Sequence, residues 1–180
     1  MSNASNQVDV PGGSRTGLVV LGLLVLAVIV WGSRGREGGG APASGGPCPA
    51  FEVITLDGET ISPESLRGQV VLIDFWATWC GPCLRELPHV AAIYDEHHES
   101  GFEILGISLD QDLARLDGFL EANPQVAWPQ VCDGKAWRGK LVELFGVDSI
   151  PRTILLDRRG EILAVGLRGR DLARAVSREM

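Results

Sequence analysis

Val70-Val71-Leu72-Ile73-Asp74-Phe75-Trp76-Ala77-Thr78-Trp79-Cys80-Gly81-Pro82-Cys83 is the stretch whose reading decides the fold. The run from Val70 to Trp76 has the length and apolar content of a strand covered on both faces. A helical pattern follows, so Cys80 and Cys83 stand where a buried strand turns into a helix. The first turn of a helix has unpaired N–H groups and a partial positive charge, and both favour a thiolate over a thiol at Cys80. Cys80 is therefore the expected nucleophile. Residues three apart on a helix lie about 5–6 Å from each other, within the range of roughly 4.4–6.8 Å between Cα atoms that a disulfide tolerates, so Cys83 can close a bridge onto it. Pro82 suits a first helical turn, where no N–H is needed. Gly81 leaves the approach open to a partner's sulfur.

Other uses of a Cys-x-x-Cys fit less well. A structural zinc site needs a second ligand pair at similar spacing, and Cys48, Cys132, His89, His97 and His98 form no such motif. An inert structural disulfide does not account for the Trp79 and Gly81-Pro82 setting at a strand-to-helix turn. Peroxidase chemistry calls for a threonine or serine three residues before the thiolate, whereas Thr78 is two before Cys80. Thiols also bind the soft ion Cu(I), but such a site would recruit a histidine or methionine beside the pair. The methionines are Met1 and Met180, and His89 falls on a different part of the helix face.

Two carboxylates bear on the same chemistry. Asp74 lies inside the apolar run, where an unpaired charge is costly. It is either functional or a strand-end aspartate bonded by backbone donors. Glu86 is three residues beyond Cys83 and shares its helix face; the ordinary reading is a solvated charge pairing with Arg85 or another neighbour.

Val71 to Cys83 resembles a thioredoxin-fold active site, and the wider chain from Ala50 onward resembles the membrane-anchored TlpA/ResA group of thiol-disulfide oxidoreductases. The resemblance implies an α/β sandwich, a central mixed β-sheet flanked by helices, with that group's N-terminal hairpin and an insert read from Asp112 to Val131. It implies that Asp74 is the proton acceptor for Cys83 and that Glu86 is a second acid/base. Pro88 falls where the family's first helix is kinked. Ile150-Pro151 resembles the cis-proline loop that, with Trp79, Gly81 and Pro82, meets the substrate. Arg152 departs from the threonine often found there; it either acts on the thiols and their partners or points to solvent. The resemblance further implies a reductase for partner proteins such as apocytochrome or copper-site assembly substrates, fed by a membrane electron donor and needing no cofactor beyond the Cys80–Cys83 pair. A disulfide-donating oxidase and a Cu(I)-handling protein are the alternatives.

Composition agrees with one folded domain over residues 50–180, expected to be a monomer. The 180 residues are 45% hydrophobic, and 16 basic against 23 acidic side chains give a net charge of −7. With no basic stripe, a nucleic-acid partner is not expected. After a tail over 1–15, residues 16–33 form an uncharged aliphatic stretch flanked by Arg15 and Arg34. Its core, Gly17 to Ser33, reaches about 25 Å against a hydrocarbon thickness of roughly 30 Å, a shortfall that snorkelling arginines and local thinning absorb. A cleaved signal peptide and a buried core helix are the competing readings, but Ala41-Pro42-Ala43 lies far from the apolar end and no polar face interrupts the stretch, which favours an uncleaved transmembrane anchor. Residues 34–49, rich in Gly, Ala, Ser and Pro, read as a flexible linker. Flanking charge does not fix the orientation; disulfide chemistry together with the resemblance implies that the domain lies on the extracytoplasmic, periplasmic side of a bacterial cytoplasmic membrane.

Elsewhere, Phe51 to Ile61 reads as a hairpin turning at Asp57-Gly58, Ser62-Pro63-Glu64 as the start of a short helix, and Gly81 to about Ser100 as a helix. A strand over Phe102–Leu109, a helix over Leu113–Ala122, an extended piece to Val131, a helix over Lys140–Phe145, a hairpin over Thr153–Val165 and a final helix near Asp171 complete the pattern. Cys48 and Cys132 either form a second bridge or are buried small residues.

Overall fold

The computed structural model describes residues 44–180; the expected tail over 1–15, the expected anchor over 16–33 and the expected linker as far as residue 43 lie outside the described residues. In chain order the elements are β1 (Val53–Ile54), β2 (Thr60–Ile61), β3 (Val70–Trp76), α1 (Gly81–His97), β4 (Phe102–Ser108), α2 (Leu113–Ala122), β5 (Gln130–Val131), α3 (Lys140–Leu144), β6 (Arg152–Leu156), β7 (Ile162–Val165) and α4 (Gly169–Glu179). Among the described residues no helix is long and apolar enough to cross a membrane.

The apolar run forms the middle of the sheet. Its strands lie in the order β5-β4-β3-β6-β7, with β3 parallel to β4 and antiparallel to β6. Every residue of β3 is buried, as a strand covered on both faces requires. Alternation sorts its side chains. Val71, Ile73 and Phe75 pack in one cluster with Leu116 of α2 and Leu141 and Val142 of α3. Val70 and Leu72 pack in the other with Leu87, Val90 and Ile93 of α1 and Leu172 and Val176 of α4. Asp74 continues the second series, which turns its carboxylate toward α1 and α4.

β1 and β2 form the expected antiparallel hairpin, with Gly58 at φ +91° in its turn. The insert supplies α2, whose first turn is capped by the Asp112 carboxylate accepting the Arg115 N–H at 3.2 Å, and β5 at one edge of the sheet. The helix expected from Ser62 does not form. Its residues make turns, because Ser62 and Ser65 accept each other's backbone N–H at 3.3 and 3.0 Å, local bonding that competes with helix. Helix α1 ends at His97, followed by a short 3-10 turn over His98–Ser100, and Pro88 sits inside it on the exposed side. The end of the Gly-rich stretch is bonded to the sheet: Gly45 N–H donates to Ile162 O at 2.8 Å, Ile162 N–H to Gly46 O at 2.8 Å, and Cys48 N–H to Gly160 O at 2.9 Å.

Candidate functional site

Cys80 and Cys83 are joined as a disulfide, their Cα atoms 5.2 Å apart. Cys80 is the cap of α1: its backbone is extended, its Sγ accepts the Cys83 N–H at 3.2 Å, and Pro82 follows in the first turn. The sulfur thus occupies the place that a serine or aspartate oxygen fills at other helix starts. Both cysteines are nearly enclosed, with exposures of 5% and 4%, while Trp79, Gly81 and Pro82 beside them are exposed. The Ile150-Pro151 bond is cis, and Pro151 lines one small cavity together with Cys83.

That cavity, about 10 Å³, is also lined by Asp74, Glu86, Thr153 and Arg168, and its size is on the scale of a single water molecule. Asp74 is 6% exposed, and its carboxyl is pushed up to about 7, first by burial and then by the Glu86 carboxylate, with Arg168 acting against them. Among the described residues no backbone N–H is bonded to its carboxylate, in contrast to the strand-end reading. Glu86 does not pair with Arg85. Its Oε2 accepts the Gly169 N–H at 2.9 Å, at the start of α4, where the helix dipole favours a negative charge. Arg168 donates to the Pro151 carbonyl at 2.6 Å.

A second buried carboxylate, which the sequence reading missed, is bonded to the segment that leads into the pair. Asp110 accepts the Thr78 N–H at 2.9 Å, the Thr78 hydroxyl at 2.6 Å and the Ser108 hydroxyl at 2.8 Å. It thereby holds the backbone two residues before Cys80. Trp76 Nε1 donates to Gln130 Oε1 at 3.0 Å, and Gln130 lies over Gly106, where a Cβ would come within 2.3 Å of that oxygen. The Ser108-Leu109-Asp110 alternation at the end of a buried parallel strand, where α/β proteins place their sites, was the available signal for Asp110. Arg168 and Trp137 carried none.

The remaining candidates have their own surroundings. Arg152 is half-buried, opposite Phe75 in the sheet, and its Nε is enclosed without a hydrogen-bond partner. Cys48 and Cys132 are free thiols, so the second bridge is not formed. Cys48 donates to Pro49 O at 3.6 Å and Cys132 to Asp110 O at 3.2 Å. Burial, aided by Glu64, pushes the Cys48 thiol up to about 12, and burial also raises Cys132. His97 lies 3.2 Å from the Ser177 hydroxyl, His98 3.4 Å from the Phe102 carbonyl, and His89 is exposed. Among the described residues no group of three or more His, Cys, Asp or Glu side chains is placed to hold a metal ion.

Residues 44–165 match the AhpC/TSA family. The chain is similar to the thiol-disulfide oxidoreductase ResA of Halalkalibacterium halodurans, with 32% identity over 64% of this chain and 63% of that protein, so it spans less than two thirds of that relative's length. It is similar to the sporulation thiol-disulfide oxidoreductase A of Bacillus subtilis, with 30% identity over 81% of this chain and 86% of that one. Among solved structures, the thioredoxin domain of a thiol-disulfide oxidoreductase from Bacteroides vulgatus aligns with a TM-score of 0.69 and 32% identity, covering 77% of this chain and 98% of that one. A thiol:disulfide interchange protein from a Bacteroides species aligns with a TM-score of 0.66 and 31% identity, covering 76% and 89%. The fold is thioredoxin-like, a mixed five-stranded sheet flanked by helices.

Proposed function

The chain belongs to the AhpC/TSA family, and on that premise we propose that it is a thiol-disulfide oxidoreductase acting on other proteins through Cys80 and Cys83. The observation that carries this reading is a disulfide seated at the start of α1 with the Cys80 sulfur as its cap. In the reduced protein the helix N-terminus favours the Cys80 thiolate. This thiolate attacks a partner disulfide, so that one S–S bond forms to Cys80 as the partner's own breaks, and the first partner sulfur leaves as a thiolate. Cys83 then gives its proton to Asp74, directly or through one water in the adjoining cavity. The Cys83 thiolate attacks Cys80 Sγ, closing the Cys80–Cys83 bridge and releasing the second partner sulfur.

Asp74 suits the acceptor role because a base works best when its pKa lies near the working pH, and its own is about 7. Glu86 raises it further and serves as the second acid/base. Trp79, Gly81, Pro82 and the Ile150-Pro151 loop form the surface that receives the partner. The protein acts as a monomer on the extracytoplasmic side of a bacterial cytoplasmic membrane, held by residues 16–33, and a membrane electron donor returns the bridge to the dithiol. Its partners are apocytochrome or copper-site assembly proteins, and its net direction is reductive. The names of its relatives, thiol-disulfide oxidoreductase and thiol:disulfide interchange protein, support the activity.

The test is reduction of insulin disulfides by the dithiol form, followed by trapping with Cys83→Ser. The expected results are turnover by the wild type, a stable mixed disulfide at Cys80 in the variant, and a reduction potential near the −270 mV (about) of thioredoxin. A potential of about −120 mV would make the protein a disulfide donor. Absence of both turnover and trapping would remove the proposed activity.

A further inference from the structure

Trp79 and Trp137 are 46% and 43% exposed, and their rings meet at a centroid distance of 6.5 Å with an interplanar angle of 57°. Large aromatic surface left in water is apolar area not yet buried, and here it adjoins the nucleophile. The loop that carries Trp137 is firmly built. The Asp133 carboxylate accepts the N–H groups of Lys135 at 2.9 Å and Lys140 at 3.1 Å, at its two ends. Within it, Gly139 N–H donates to Ala136 O at 3.0 Å, a close approach in which a Cβ on Gly139 would lie 3.1 Å from that oxygen. Ala136, directly before Trp137, has φ +51°, a left-handed conformation that costs an alanine energy and persists only where its surroundings over-determine it. Such a loop holds an exposed indole in one place.

We propose that Trp137 is a specificity-determining residue: with Trp79 it forms an aromatic surface that receives an apolar side chain flanking the cysteine of the partner polypeptide. The occupant follows from the chemistry. Cys80 is 5% exposed, so a partner sulfur reaches it only at close approach, which brings the residues next to that sulfur over Trp79 and the ring beside it. Flat aromatic surfaces bury more area against an aliphatic or aromatic side chain than against glycine. The inference rests on the exchange activity proposed above.

The experiment uses the full chain, reduced beforehand, in single-turnover reactions with two disulfide-linked peptides. In one the cysteines are flanked by leucine, in the other by glycine. Released peptide is measured directly, so that loss of an indole does not affect the signal. The wild type is expected to prefer the leucine-flanked probe about tenfold, a value in keeping with an aromatic contact. Trp137→Ala brings the ratio close to one, and Trp137→Phe retains most of it. A ratio unchanged in Trp137→Ala, or no preference in the wild type, overturns the inference while leaving the exchange activity standing. Failure of the wild type to react with either peptide overturns both.

Discussion

Two aspartates are buried near the redox pair, and they are held in opposite ways. Asp110 is closed off by three donors, from Thr78 and Ser108, and so fixes the backbone leading to Cys80. Asp74 faces a cavity it shares with Cys83 and Glu86, and burial without hydrogen bonds drives its acidity toward neutrality. Burial alone therefore does not decide how a carboxylate is held. What distinguishes the two is whether donors surround the carboxylate or burial leaves it without them.

The largest expected effect separates them by rate. Asp74→Asn should slow the resolving step, Cys83 attacking the mixed disulfide, by about 100-fold or more at neutral pH. It should also remove the rise in rate with pH through about 7 that follows from the need for an ionised acceptor. Stopped-flow decay of a preformed mixed disulfide measures both. If Asp110→Ala removes that pH rise and Asp74→Asn does not, the assignments are reversed.

Stability gives the next effect, with a definite sign. The folded value of Asp74, about 7, lies above its unfolded value of roughly 3.9, so between the two the folded protein holds the extra proton and stability falls as pH rises. The disulfide form should lose roughly 2 to 3 kcal/mol between pH 5 and pH 8 from this group. In denaturant titrations Asp74→Asn flattens that slope. Asp110→Ala instead leaves the Thr78 N–H buried and unpaired and lowers stability by about 2 kcal/mol at either pH.

The smallest effect sharpens the picture on the Asp74 side. Glu86→Gln removes a negative neighbour but keeps an oxygen for the Gly169 N–H. The midpoint of the rate profile should therefore move to lower pH with little change in melting temperature. An upward shift would mean that Glu86 does not face Asp74 as a charge.

Much of this was legible from short stretches of sequence. The Val70–Trp76 run, the cysteines at a helix start and the limits of the Leu113–Ala122 helix are decided by residues close together in the chain, where period and capping speak directly. Asp74 stood out because a charge interrupts a buried strand. Arg168, Trp137 and Gln130 did not stand out, since each acts on a residue far away: Arg168 on the Pro151 carbonyl, Trp137 on Trp79, Gln130 on the Trp76 indole. The Ser62 segment misled because serine near a proline serves a helix start and a turn equally well. The cysteines at 48 and 132 were an even count that no local pattern paired, and they turn out bonded to different carbonyls.

The bonds from Gly45, Gly46 and Cys48 to the start of β7 also bear on how the molecule behaves in a crowd. An open sheet margin presents amides and carbonyls on which a stray extended chain can grow. On the β7 side the protein's own incoming segment occupies the first of those positions, and at the other margin β5 is two residues long and follows Pro129. Both margins of the sheet thus leave few places for another extended chain to add a strand.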